Sequence, residues 1–222
     1  MSRTPVYIVC SPRPQVGKTL LSRLLLEFLL LQRRNARGFD INVKEPSLID
    51  FLPDVTEPAE VMGTQGKMEL MDQLIVNDGV GKVVDLGFHA FDEFFRMIEE
   101  IGYMKEADRR GVDAIVMYIA DADALSGAIF ARLKRTFADY AIIPVDNEYV
   151  LHGEPPASYA GLKTLRIRAL PPFLKTYIDR RSFSFTRFLR QDSDPSSELN
   201  QWIRTAYLKF REIDLNLVEY RL

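Results

Sequence analysis

The chain has 222 residues, 47% of them hydrophobic, with 29 basic against 31 acidic side chains and a formal net charge of −2. That is enough apolar material for one sizeable α/β core, and the even charge balance excludes a protein that binds polyanions through its overall charge. A lone cysteine, Cys10, excludes a disulfide framework, and no Cys/His cluster has the spacing of a zinc site.

In chain order, residues 6–10 form an apolar run that reads as a buried strand. They lead into a tight loop, Ser11-Pro12-Arg13-Pro14-Gln15-Val16, closed by Gly17-Lys18-Thr19. A helix over 18–33 follows, apolar on nearly every side and therefore expected to be deeply buried. Residues 37–42 read as a short strand, 46–53 as turn-rich and 59–62 as a weak strand. Helical spacing of Met68, Leu70, Met71, Leu74 and Ile75 marks a helix over 67–76, and 82–86 is a short strand bracketed by glycines. Phe91, Phe94, Phe95, Ile98 and Ile101 form one face of an amphipathic helix, read as core. The strands 112–119 and 141–145 flank a helix over 124–137. Beyond Asn147 the pattern weakens: a loop at 152–156, a last strand within 165–170, a break at Pro171-Pro172, then a C-terminal amphipathic helix capped at Asp194-Pro195.

Strands alternating with helices predict a doubly wound, mostly parallel α/β sheet in a single domain spanning 1–222, with the motifs confined to 5–150. An early strand at Pro5 leaves no room for a signal peptide. The most apolar stretch, 20–31, is broken by Arg23 and Glu27 and is too short to span a bilayer. Both features predict a cytoplasmic protein without a transmembrane segment.

Chemistry concentrates at the first loop. Strand, loop ending in Gly-Lys-Thr, and helix, in that order, are the setting of a phosphate-binding P-loop. The amides of Gln15, Val16, Gly17, Lys18 and Thr19 face an anion at a helix N-terminus, where the dipole favours negative charge. Lys18 adds a point charge for the β- and γ-phosphates, the Thr19 hydroxyl is a ligand for Mg²⁺, and Gly17 lets the backbone close on the phosphates. The strict pattern would have its first glycine at Pro12, and Pro14 removes another amide donor. Asp85 ends a short apolar strand, the place of a Walker-B carboxylate holding Mg²⁺ directly or through water; the plainer alternative is a strand-end aspartate without a ligand. Asp40 ends the second strand, within reach of the Mg²⁺ shell or an attacking water.

These residues resemble the ParA/MinD-type partition ATPases, whose deviant P-loop is written K-G-G-x-G-K-[ST]. Arg13 stands where that family carries a lysine that reaches the partner's phosphates across a nucleotide-sandwich dimer, and Pro14-Gln15 replace the two glycines. Asp40-Ile41-Asn42 falls at the family's Asp-x-Asp switch, which implies that Asp40 is the catalytic acid, with Asn42 in place of the second acid. The resemblance further implies that Asp85 is the Walker-B acid and that Asn147 reads adenine. The function it implies is an ATP- and Mg²⁺-dependent dimerisation switch acting on an unknown partner protein, with Lys18, Asp40 and Arg13 catalytic. Gln15-Val16-Gly17-Lys18-Thr19 is also similar to the loop of dethiobiotin synthetase, an ATP-dependent enzyme of small molecules. A third reading is a nucleotide-binding module that holds phosphate without turnover.

Two segments stand out in composition. Between Gly161 and Gln191 lie Lys163, Arg166, Arg168, Lys175, Arg180, Arg181, Arg187 and Arg190 against the single acid Asp179, with aromatics interleaved. Such a stretch is either a DNA-binding surface or a solvated basic face over aromatic core. Residues 40–60, by contrast, carry six acids against Lys44, so the two segments have the charges to pair.

Overall fold

The structure, a computed structural model, describes residues 3–32, 35–42, 47–152, 154–191 and 194–217. Expectations that fall on Arg33, on residues 43–46 with Lys44, and on Gly153 lie outside these.

The first half of the chain comprises β1 (Thr4–Cys10), α1 (Lys18–Leu31), β2 (Ala36–Asp40), α2 (Leu48–Phe51), β3 (Thr56–Pro58), α3 (Thr64–Leu74) and β4 (Gly81–Asp85). It continues through α4 (Phe91–Glu100), α5 (Tyr103–Arg109), β5 (Val112–Ile119), α6 (Ala124–Thr136), β6 (Ala141–Asn147) and α7 (Glu148–Leu151). The last part holds β7 (Leu165–Ile167), α8 (Pro172–Ile178), α9 (Phe185–Arg190) and α10 (Glu198–Leu215).

The seven strands form one sheet in the order β3-β2-β4-β1-β5-β6-β7, and every pairing is parallel. Parallel strands need crossovers and therefore helices on both faces, which is why the central strands are apolar on both sides. Their alternation splits the core in two. Tyr7, Val9, Val83, Ile115, Met117 and Ile143 face α1, α9 and α10, while Val6, Ile8, Val84, Val116 and Ile142 face α3 to α6. Helix α10 lies against α1, with Phe28 5.5 Å from both Tyr207 and Phe210, and the Tyr7 hydroxyl donates to Asp214.

Several expectations shift. The strand expected at 59–62 is instead β3, a three-residue edge strand whose position follows its pairing with β2 rather than its own hydrophobicity. The stretch read as turn-rich contains α2, nucleated by a capping box in which Ser47 and Asp50 each satisfy the other's backbone. Helix α10 is capped by Ser197, not by Asp194; the Asp194 carboxylate instead accepts from the Ser196 amide, closing a turn just before the helix. Helices α5, α8 and α9 have no counterpart in the periodicity, because each is only six or seven residues long.

Candidate phosphate-binding site

All strands of a parallel sheet point their carboxyl ends the same way, so loops after β1, β2, β4, β5 and β6 converge on one edge. The residues singled out in the sequence lie in those loops or at the strand and helix ends that bound them. Ser11 to Gly17 turns tightly between β1 and α1, with two positive-φ residues, Gln15 at 56° and Gly17 at 93°. Gly17 has a second reason to be glycine: a Cβ there would lie 2.6 Å from the Asn147 side-chain nitrogen. That nitrogen donates to the Val16 carbonyl at 2.9 Å, and the Asn147 oxygen accepts from the Tyr149 amide. Asn147 thus ties the end of β6 to the loop and caps α7 at once.

Beneath the loop, Thr19 and Ser22 form one face of α1, three residues apart, and both hydroxyls donate to Asp85, at 2.8 Å and 3.0 Å. Asp85 is 1% exposed, and burial pushes its carboxyl up from 3.8 to about 6. The neighbouring Asp40 charge adds to that rise, while Thr19, Ser22 and Lys18 oppose it. Asp40 and Asp85 are register partners at the ends of adjacent strands. The two oxygens of Asp40 accept from the amides of Asn42 and Ile49, both at 3.0 Å, so this carboxylate also pins the loop after β2 and the start of α2.

Lys18 is 8% exposed, and its Nζ donates to the Arg13 carbonyl at 2.6 Å, curling over the loop. Arg13 turns the other way. Its guanidinium pairs with Asp121 at 3.2 Å and with Asp123, both in the loop that follows β5 in the same chain. A cavity of about 680 Å³ opens over the loop, bordered by Gln15, Gly17, Lys18, Thr19 and Asn147. Tyr149, Arg168, Pro172 and Trp202 also line it. The candidate site residues are all at this edge, but Val16, Asp40 and Asp85 do not border the cavity, and Arg13 makes its contacts away from it. Sequence reading missed Ser22, which its helical spacing from Thr19 could have shown, and Asp121 and Asp123, which sit at a strand end like Asp85. Exposed His89 packs edge-on against Phe88, with ring centres 5.8 Å apart, and no hydrogen bond joins it to Asp85 among the described residues.

The basic segment is largely spent within the chain. Lys163 pairs with Glu212, Arg166 with Glu148, Lys175 with Asp179 and Arg181 with Asp50, while Arg180 lies 5.2 Å from the Tyr177 ring centre. The pair of Arg181 and Asp50 joins the basic and acidic segments directly, at 3.4 Å.

A strand, a loop ending in Gly-Lys-Thr and a helix at the carboxyl edge of an all-parallel sheet are the arrangement of P-loop α/β folds. Within that class the fold is that of MinD. The chain is similar to the MinD cell division protein of Aquifex aeolicus, with a TM-score of 0.53 and 14% identity over 94% of this chain and 97% of that one. It is likewise similar to the septum site-determining protein MinD complexed with Mg-ADP from Pyrococcus horikoshii OT3, with a TM-score of 0.55 and 15% identity over 96% and 98% of the two chains. No protein-family model matches the sequence, and no curated protein matches it.

Proposed function

We propose that the chain is a P-loop ATPase that binds ATP with Mg²⁺ at the loop between β1 and α1. The observation that carries this reading is the pair of hydrogen bonds from Thr19 and Ser22 to buried Asp85, directly under the loop. A carboxylate and two hydroxyls are an all-oxygen donor set suited to Mg²⁺, which is held by one or two carboxylates together with substrate phosphates rather than by a protein cage. Thr19 and Asp85 would hold the ion, which when bound offsets the charge of the phosphates. The amides of residues 15–19 and Lys18 would bind the phosphates themselves, and Asn147 and Tyr149, which also border the cavity, would contact the base. The similar Pyrococcus structure, described as a complex with Mg-ADP, supports the choice of ligand.

The finer reading is a cytoplasmic, dimer-dependent switch, in which Asp40 positions water and Arg13 acts on the partner chain's phosphates. For that, Arg13 has to exchange Asp121 and Asp123 of its own chain for phosphate. Sedimentation of the wild type and Arg13→Ala with ATP and with ADP tests it. The switch reading expects an ATP-specific dimer that Arg13→Ala loses while still binding nucleotide. An ATP-dependent dimer unchanged in Arg13→Ala removes the cross-dimer role, and an oligomer indifferent to nucleotide favours the small-molecule enzyme. DNA is not proposed as a partner, since most of the basic side chains of 161–191 are already engaged within the chain.

A further inference from the structure

Asp146 immediately precedes Asn147 in β6, so its side chain leaves the sheet on the opposite face from the P-loop. It is 6% exposed, and its Oδ1 is fully enclosed with no hydrogen-bond partner among the described residues. The nearest cation, the Arg166 guanidinium, lies 3.8 Å away and is instead held by Glu148 at 2.5 Å. Burial raises the Asp146 carboxyl above its ordinary value, with Arg166 opposing and Glu148 adding to the rise. Two carboxylates against one guanidinium leave this corner one positive charge short. A buried carboxylate oxygen without a hydrogen bond is costly to the fold unless a cation completes it.

The same carboxylate borders a cavity of about 310 Å³, separate from the one over the loop. Its walls also include Thr164, Arg166, Tyr159 and the apolar surfaces of Pro155, Pro156 and Ala157. A charged acceptor and proline rings bordering the same cavity match a compact cationic head on a short aliphatic stem. The ammonium is the better fit than a second guanidinium, being a point charge with three donors that needs no planar fork.

We propose that this cavity is a binding site for a primary alkylammonium group, seated on Asp146 with its stem along Pro155 and Pro156, carried either by a lysine side chain or by a free amine. The test is calorimetric titration with n-butylammonium at constant ionic strength, with n-butanol as the uncharged control. Saturable binding of the amine but not the alcohol is expected, weakened about tenfold or more in Asp146→Asn. Arg166→Gln, a change at a side chain 61% exposed, removes the competing internal cation and should tighten binding severalfold. Absence of saturable binding to the wild type, or the same affinity in Asp146→Asn, overturns the proposal. So does unchanged or weaker binding in Arg166→Gln, which decides the matter even if Asp146→Asn fails to fold. Comparing n-butylammonium with a blocked tripeptide containing one lysine separates the two sources: tighter binding of the peptide assigns a protein side chain, and tighter binding of the amine a small molecule.

Discussion

Replacing Asp85 by asparagine should stabilise the ligand-free protein at neutral pH while harming the site. The side chain keeps its shape and one oxygen for Thr19 or Ser22, whose hydroxyls can also accept from the new amide. What disappears is a charge that burial disfavours. The folded chain holds the Asp85 carboxyl at about 6, against 3.8 ordinarily. The wild type is therefore relatively favoured while the group is protonated, below about pH 4, and loses that advantage as pH rises through about 6. At about 1.4 kcal/mol per pKa unit, the loss approaches about 3 kcal/mol. The stability difference between Asp85→Asn and wild type should thus move in the variant's favour by about 3 kcal/mol between pH ~4 and pH ~7.5, or about 6–12 °C in Tm for a chain of this length. Urea or thermal unfolding of both proteins across that range, without Mg²⁺ or nucleotide, measures it, and other titrating groups cancel in the difference. A difference independent of pH would refute the burial argument. In the presence of Mg²⁺ the same variant should bind ATP more weakly than the wild type.

Two other substitutions probe the frame of the loop. Gly17→Ala puts an L-residue at φ 93° and a methyl against Asn147, so unfolding should show a loss of about 2–3 kcal/mol; a loss below about 0.5 kcal/mol would mean that neither constraint acts. Asp40→Ala strands the amides of Asn42 and Ile49 and should cost about 2–3 kcal/mol in denaturant unfolding. Asp40→Asn, which retains one acceptor, is therefore the variant for a phosphate-release assay, and the switch reading expects bound ATP with hydrolysis abolished. Undiminished hydrolysis would take Asp40 out of the catalytic role.

The sheet and the loop were legible because both depend on local pattern. Apolar runs of strand length alternating with helical periods are a direct readout of burial on two faces, and Val112–Ile119 was placed to the residue. The loop was legible because Gly17-Lys18-Thr19 follows a strand and opens a helix. What escaped depends on distant partners. Arg13 meets Asp123 across 110 residues of sequence, a separation over which spacing carries no information. The second duties of Asp40 and Asn147, pinning α2 and locking Val16, are equally non-local. Edge strand β3 and helices α8 and α9 lacked a strong period because docking, rather than an apolar stripe, holds such short elements in place.

The central claim is that the loop after β1 binds nucleotide phosphate through Lys18. Calorimetric titration of the wild type and Lys18→Ala with Mg-ATP addresses it most directly, with ADP and GTP run alongside to set the ligand preference. Lys18 supplies a charge-assisted contact of about 1.5–3 kcal/mol, so its removal should lower ATP affinity by about tenfold or more. Saturable one-site binding that falls by that factor in Lys18→Ala is the expected result. No binding to the wild type, or equal affinity in the two proteins, would contradict the account.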